Sequence, residues 1–222
     1  MANQKTKKND FVEIEFTGTS NGQVFDTTSL EEAKKSGLAD DSMKEKFKPM
    51  RLCIGQEMIL KPIDKALEDK EINQGFSLDI KEKEAYGKRE SKLIKTVPLT
   101  AFQEMPQRGM FVNVNGMIAK VISISSGRVI IDMNHPLAGK DLHYEIKILK
   151  IIEDKLEKVK VITEFFGIDS DYVSLENEKV IIKVKTHDII QNQIKKKIKD
   201  ILNLETEFKE DKKEKLEDTI KK

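Results

Sequence analysis

Apolar positions recur with a period of two in short runs along most of this chain, the spacing of half-buried strands, and with a helical period in a few places. Phe11 to Phe16 predicts a strand, Asn21-Gly22 a hairpin turn, and Val24-Phe25-Asp26 the returning strand. The charged segment from Thr28 to Lys48 carries a short helical pattern from Leu30, with Gly37 as its stop. Arg51 to Gly55 reads as another strand. From Ile59 onward, Ile59, Ile63, Ala66 and Leu67 share one helix face, and after Gln74-Gly75 the alternation returns in Phe76, Leu78 and Ile80. Several strands and one helix predict an α+β domain, with an antiparallel sheet wrapped on that helix.

After Tyr86-Gly87 the texture changes to hairpins. Leu93 to Val97 reads as a strand broken by Pro98, and Leu99 to Phe102 as a helical turn. Phe111 to Val114 and Met117 to Ile124 flank Asn115-Gly116, and Ser126-Gly127 leads into Val129 to Asp132. The run Asn134-His135-Pro136-Leu137-Ala138-Gly139 then separates that strand from the alternation of Leu142 to Leu149, a junction where the chain leaves one sheet and enters another. Pro136 cannot donate to a ladder, Asn134 and Gly139 tolerate left-handed backbone, and His135 offers two ring nitrogens to tie the turn down. With no serine, cysteine or second histidine nearby in sequence, His135 reads as structural, not as a catalytic base.

Beyond Glu153 the pattern predicts a separate small domain. Leu156, Val159, Ile162 and Phe166 form a helical stripe ended by Gly167, and Tyr172 to Leu175 and Val180 to Val184 pair around Asn177. A second helix follows, with Asp188 and Gln191 as a capping box and Ile190, Ile194, Ile198, Ile201 and Leu202 on one face. The last stretch, FKEDKKEKLEDTIKK from Phe208, carries mixed charge and should be solvated.

Length and charge narrow the functional classes. In 222 residues, 40 lysines and arginines balance 39 aspartates and glutamates, so there is no global basic footprint and nucleic acid is not an expected partner. Cys53, alone, can form no intramolecular disulfide; in MRLCIG it reads as a small buried hydrophobe in a reducing compartment. The start, MANQKTKKND, lacks the apolar core of a signal peptide and no run is long enough for a membrane span, so a soluble cytoplasmic protein with no membrane partner is expected. His135, His143 and His187 are too scattered for a zinc site, and neither metal nor cofactor is expected.

Five segments in order carry a resemblance: EFTGTSNGQVFDTT from Glu15, KPMRLCIG from Lys48, MILKPIDKALEDKEINQG from Met58, EAYG from Glu84 and NHPLAG from Asn134. Over about Asp10 to Glu153 the chain resembles SlyD-like, FKBP-type peptidyl-prolyl cis-trans isomerases. The resemblance implies an FKBP-like catalytic domain of residues 1–89 and 134–153, an inserted small β-rich insert-in-flap domain at 90–133, and a C-terminal α/β accessory domain at 154–222. The last looks like the extra domain of long archaeal-type members.

By that resemblance Phe25, Met50 and Tyr144 wall a proline ring, Ile63 lies beneath it, and Phe16 and Ile59 complete the substrate-binding pocket. The amide of Leu60 and the phenol of Tyr86 are expected to hydrogen-bond substrate carbonyls, and Asp26 to lie near the twisting amide. Ile63 stands where single-domain members carry tryptophan, Met50 replaces a phenylalanine, and Phe16 lacks a tyrosine hydroxyl, which argues against tight macrolide binding. The insert is expected to hold unfolded or proline-containing clients through Phe111, Val112, Ile118, Val121, Ile124 and Ile131. The histidine-rich tail that some SlyD-like proteins use for nickel is absent. The rival readings are a non-catalytic holdase with a vestigial pocket, and an assembly module that forms a homodimer through the C-terminal domain.

Overall fold

A computed structural model describes residues 4–114 and 116–209. In chain order it holds β1 (Phe11–Ser20), β2 (Gln23–Thr27), α1 (Leu30–Lys35), β3 (Met50–Cys53), α2 (Lys61–Ala66) and β4 (Gly75–Ile80). There follow β5 (Ile94–Pro98), β6 (Phe111–Val114), β7 (Met117–Ser125), β8 (Arg128–Asp132) and β9 (Leu142–Ile151). The chain continues through α3 (Lys155–Phe165), β10 (Val173–Glu176), β11 (Lys179–Ile182), α4 (Asp188–Leu202) and β12 (Glu205–Phe208). Two compact units result among the described residues: one of 4–19, 23–78 and 144–209, the other of 20–22 and 79–143. The fold is mixed α+β, with mostly antiparallel sheets and few helices.

The first unit is built on a five-stranded sheet in the order β2-β1-β9-β4, with β3 paired antiparallel to β1. Asn21 and Gly22 both take positive φ (51° and 74°), as a two-residue turn with the twist of its strands requires. Even-numbered residues of β1 and β9 fill one face: Val12, Ile14, Phe16, Leu142, Tyr144, Ile146 and Ile148 are all buried. The helix expected from Ile59 begins only at Lys61, with Leu60 at its N-cap and Pro62 in its first turn, where a missing N–H costs nothing. Ile63 and Leu67 point into the core as the spacing foretold.

The odd face of β1 and β3 is also covered at one end. Phe11 and Cys53 face each other in register and are almost fully buried because α3 packs against β3. Lys158 of α3 lies 5.9 Å over the Phe11 ring. Arg51 reaches from β3 to Glu157 at 2.7 Å and also pairs with Glu164. Burial pushes the Cys53 thiol up to about 12.

Beyond α3 lies a three-stranded sheet, β10-β11-β12. Asn177 and Glu178 supply the positive-φ turn of the β10–β11 hairpin (49° and 62°). Val180, Ile181 and Ile182 are buried on both faces of the central strand, hence their unbroken apolar run. β12, parallel to β11 after the α4 crossover, is an element the sequence pattern did not reveal. The expected capping box of α4 does not form: His187 is the N-cap, and Gln191 Nε2 donates to the Thr186 carbonyl at 2.9 Å. Of the charged stretch from Phe208, residues 210–222 lie outside the described residues.

The second unit contains a four-stranded sheet in the order β5-β8-β7-β6. Pro98 closes edge strand β5, where its lack of an N–H is tolerated. A bulge in β7 between Val121 and Ser123 resets the register against β8. Ala119, Val121, Val129 and Ile131 form its small core, flanked by Val97, Leu99, Phe102, Val112, Val114, Ile124 and Met133. Asn115 of the expected turn lies outside the described residues; its neighbour Gly116 takes φ 82° and donates to Asn113 Oδ1 at 2.8 Å.

Candidate functional site

In the first unit, the even face of the sheet carries an aromatic box. Tyr144 of β9 is buried, its ring centroid 5.9 Å from Phe16 of β1 and 5.7 Å from Phe25 of β2, the latter in an edge-on arrangement at 89°. Such tilted pairs place the positive edge of one ring toward the negative face of the other, a geometry that stabilises by about 0.5–1.5 kcal/mol beyond area burial. Gly18 makes this possible: a Cβ there would stand 2.8 Å from Phe25 Cζ and 2.9 Å from Tyr144 Cε1. Met50 pairs with Ile14 in register and so shares its face of the sheet. Ile63 is buried, while Phe25, Ile59 and Leu60 stay partly exposed.

Asp26 follows Phe25 and keeps a solvent-facing side, but desolvation raises its pKa above the ordinary 3.8, with the Thr27 amide opposing the shift. The two threonines after it fix the segment. Thr28 Oγ1 accepts from the Phe16 amide at 2.9 Å, and Thr27 Oγ1 donates to the Phe16 carbonyl at 3.1 Å. The two threonines that follow Asp26 thus tie this segment to the Phe16 backbone of β1. Asp64 is a residue that sequence reasoning missed. Its buried carboxylate accepts from the amides of Gly55 and Glu57, each at 2.8 Å, and pins the loop between β3 and α2 that carries Ile59 and Leu60. An acidic residue beside Ile63 within the short helix was the available signal.

A depression of about 490 Å³ opens elsewhere in this unit, lined by the odd-numbered Glu15, Thr17, Glu145 and Lys147 together with Phe76. It shares only Phe16 with the predicted pocket residues. Phe25, Asp26 and Tyr144 do not line it.

Tyr86 belongs to the second unit. Its ring stacks on His135 at a centroid distance of 3.8 Å and an angle of 6°. His135 Nδ1 accepts from the Leu137 amide at 3.2 Å, and the Gly139 amide donates to the Gly87 carbonyl at 2.7 Å. The turn expected of these residues forms, with Gly139 at φ 74°; Asn134, in contrast, has no left-handed backbone and acts through its side chain. Its amide exchanges hydrogen bonds with the Glu90 backbone at 2.8 and 3.0 Å, and Arg89 binds Asp132 at 2.7 Å. These bonds latch the segment entering the four-stranded sheet to the segment leaving it. Burial works against ionisation of Asp132, but Asn134 and Arg89 outweigh it and hold its carboxyl below the ordinary value.

The six apolar residues proposed for the insert divide. Phe111 and Ile118 are exposed, at 57% and 70%, and Val112 and Ile124 are half-buried. Val121 and Ile131 are 1% exposed and belong to the core, because a small sheet must bury one face to be stable. Register explains the split: Val112 faces Ala119 on the buried side, while Phe111 faces Lys120 on the other. Met105, Met110, Met117 and Ile130 are exposed as well, though none was among the six. A groove of about 610 Å³ runs among Phe102, Met105, Pro106, Met110, Phe111 and Val112.

Comparison with known proteins places this architecture among prolyl isomerases. A family model described as the IF domain of FKBP26 matches residues 95–137. A short-type peptidyl-prolyl cis-trans isomerase of Methanocaldococcus jannaschii is 29% identical over 145 residues, which cover 64% of this chain and 91% of that relative. The FKBP-type isomerase SlyD of Helicobacter pylori is 31% identical over 136 residues, 58% of this chain and 73% of its own length. SlyD of Haemophilus influenzae is 29% identical over 117 residues, half of this chain and 62% of its own length. The chain belongs to the SlyD-like group of FKBP-type peptidyl-prolyl cis-trans isomerases.

Proposed function

We infer that this protein catalyses cis-trans isomerisation of Xaa-Pro bonds and propose that Phe16, Phe25, Asp26, Met50, Ile59, Leu60, Ile63 and Tyr144 form the site that does so. The supporting observation is the box of Phe16, Phe25 and Tyr144 on one sheet face, with the desolvated carboxyl of Asp26 next to Phe25. Rotation about the prolyl bond must break amide resonance, a barrier of about 18–20 kcal/mol. No proton has to move. The planar amide is more polar than the twisted one, so apolar walls favour the twisted form, and aromatic rings grip the pyrrolidine. The amide of Leu60 is proposed to orient a substrate carbonyl, and Tyr86 is assigned the same task by family resemblance.

The insert is proposed to hold unfolded, proline-containing polypeptides, and the residues after Glu153 to form an accessory domain. Exposed Phe111 of edge strand β6 and Ile118 of its neighbour β7 offer extended segments both apolar contact and backbone partners. Among the described residues no helix is long and apolar enough to cross a membrane. A cytoplasmic location is part of the proposal.

The test is a protease-free isomerisation assay on a short Xaa-Pro peptide. Tyr86→Phe combined with Asp26→Ala should lower turnover by about tenfold or more, equivalent to about 1.4 kcal/mol, with circular dichroism unchanged. Full activity in the folded double variant would remove both residues from the mechanism. An intact protein without turnover would leave the holdase reading.

A further inference from the structure

We propose that Met105, Met110 and Met117 form an oxidation site through which a peroxide switches off client capture by the insert and leaves isomerisation of short peptides intact. The inference rests on the reading of the insert as a client-holding surface. Of the seven methionines among the described residues, these three are exposed, at 75%, 46% and 54%. Met58 is buried, and Met43, Met50 and Met133 are half-buried. Three of the four methionines of the second unit are thus exposed, and none of the three described in the first is.

The same three residues make up most of the apolar surface in their segment. Between positions 105 and 118 the exposed large hydrophobic side chains are Met105, Met110, Phe111, Met117 and Ile118, so oxidation would convert three of five to polar groups. Met105 and Met110 also line the groove beside Phe111. Met110 Sδ accepts the Gln107 amide at 3.3 Å in the turn that starts β6, and the Met110 carbonyl accepts from Val121 at 2.8 Å, so modification there reaches the edge of the sheet as well.

The chemistry closes without a cofactor. A peroxide oxygen is transferred to the thioether: the O–O bond breaks, an S–O bond forms, sulfur gives up two electrons and hydrogen peroxide leaves as water. Methionine suits a surface that must adapt to many sequences, being flexible and polarisable, and the sulfoxide loses that apolar character.

The experiment treats the intact protein with hydrogen peroxide, maps sulfoxides by mass spectrometry, and measures two activities before and after. One is turnover on a proline tetrapeptide; the other is affinity for a permanently unfolded, reduced and alkylated protein. Oxidation should weaken client binding by about tenfold or more and leave tetrapeptide turnover within about twofold. The Met105→Leu/Met110→Leu/Met117→Leu variant should bind the client both before and after treatment. Unchanged binding by the oxidised protein would overturn the proposal, as would an equal loss in the triple variant or a parallel loss of tetrapeptide turnover. Failure of the untreated protein to bind the unfolded client would overturn the underlying reading of the insert, a result distinct from failure of the switch.

Discussion

The ring of Phe25 stands edge-on to that of Tyr144, centroids 5.7 Å apart and planes at 89°, above a backbone position where only glycine fits. Gly18 has no left-handed backbone to accommodate; its constraint is space. Gly18→Ala should force the two rings apart at a cost of about 1–3 kcal/mol, the range for an overpacked core. Thermal unfolding should show that loss, and peptide turnover should fall with it. Wild-type turnover in Gly18→Ala would mean that ring placement is not limiting.

Asp26 carries a prediction with a definite sign. Its folded-state pKa is raised by desolvation, so the ionised form is penalised on folding at every pH above the ordinary value of 3.8, most fully above the folded pKa. Asp26→Asn should therefore raise the melting temperature at pH 7, and the gain should vanish as pH falls below 3.8. Stability and turnover would part company in this variant. Equal melting temperatures across the range would show that the carboxyl is not desolvated.

The helix α3 covers Phe11 and Cys53 on the side of the sheet opposite the aromatic box, which separates stability from chemistry. Truncation after Glu153 should leave peptide turnover largely intact. The uncovered Phe11 ring alone should cost about 1.5–3 kcal/mol. Cys53 reports the same event directly. Buried, with its thiol pushed up to about 12, it should resist a disulfide reagent in the full chain and react readily in the truncated one. A reactive Cys53 in the native full-length protein would contradict the packing described.

Much of this fold was legible because its turns carry their own chemistry. Asn21-Gly22, Gly37, Gly127, Asn177 and Gly167 all adopt the positive φ that their residue types favour, and each fixes the ends of an element. What escaped was determined at a distance. Glu205–Phe208 becomes a strand because α4 returns it beside β11, and its four residues hold no local pattern strong enough to announce that. Val121 and Ile131 looked like surface candidates for a client because a small sheet of hairpins has little interior, yet the four strands bury one face and both residues lie in it. Cys53 read correctly as buried, but its covering helix begins a hundred residues later. Among candidate site residues, Phe16, Phe25 and Tyr144 came together, while Asp64 offered only its place beside Ile63 as a signal, because its partners are backbone amides that leave no pattern in the sequence.

The central claim is a division of labour between a pocket that turns prolyl bonds and an insert that holds the chain. The latch between Glu90 and Asn134 shows where to cut. Residues 91–133 are replaced by a short flexible loop that keeps both latch residues, and turnover is measured on a tetrapeptide and on a protein whose refolding is limited by proline isomerisation. The account predicts that the tetrapeptide rate largely survives while the refolding rate drops by about tenfold or more, since tethering a client raises the local concentration of its prolines to about the millimolar range. Equal losses on both substrates would contradict it, because the insert would then shape the site and not hold the client.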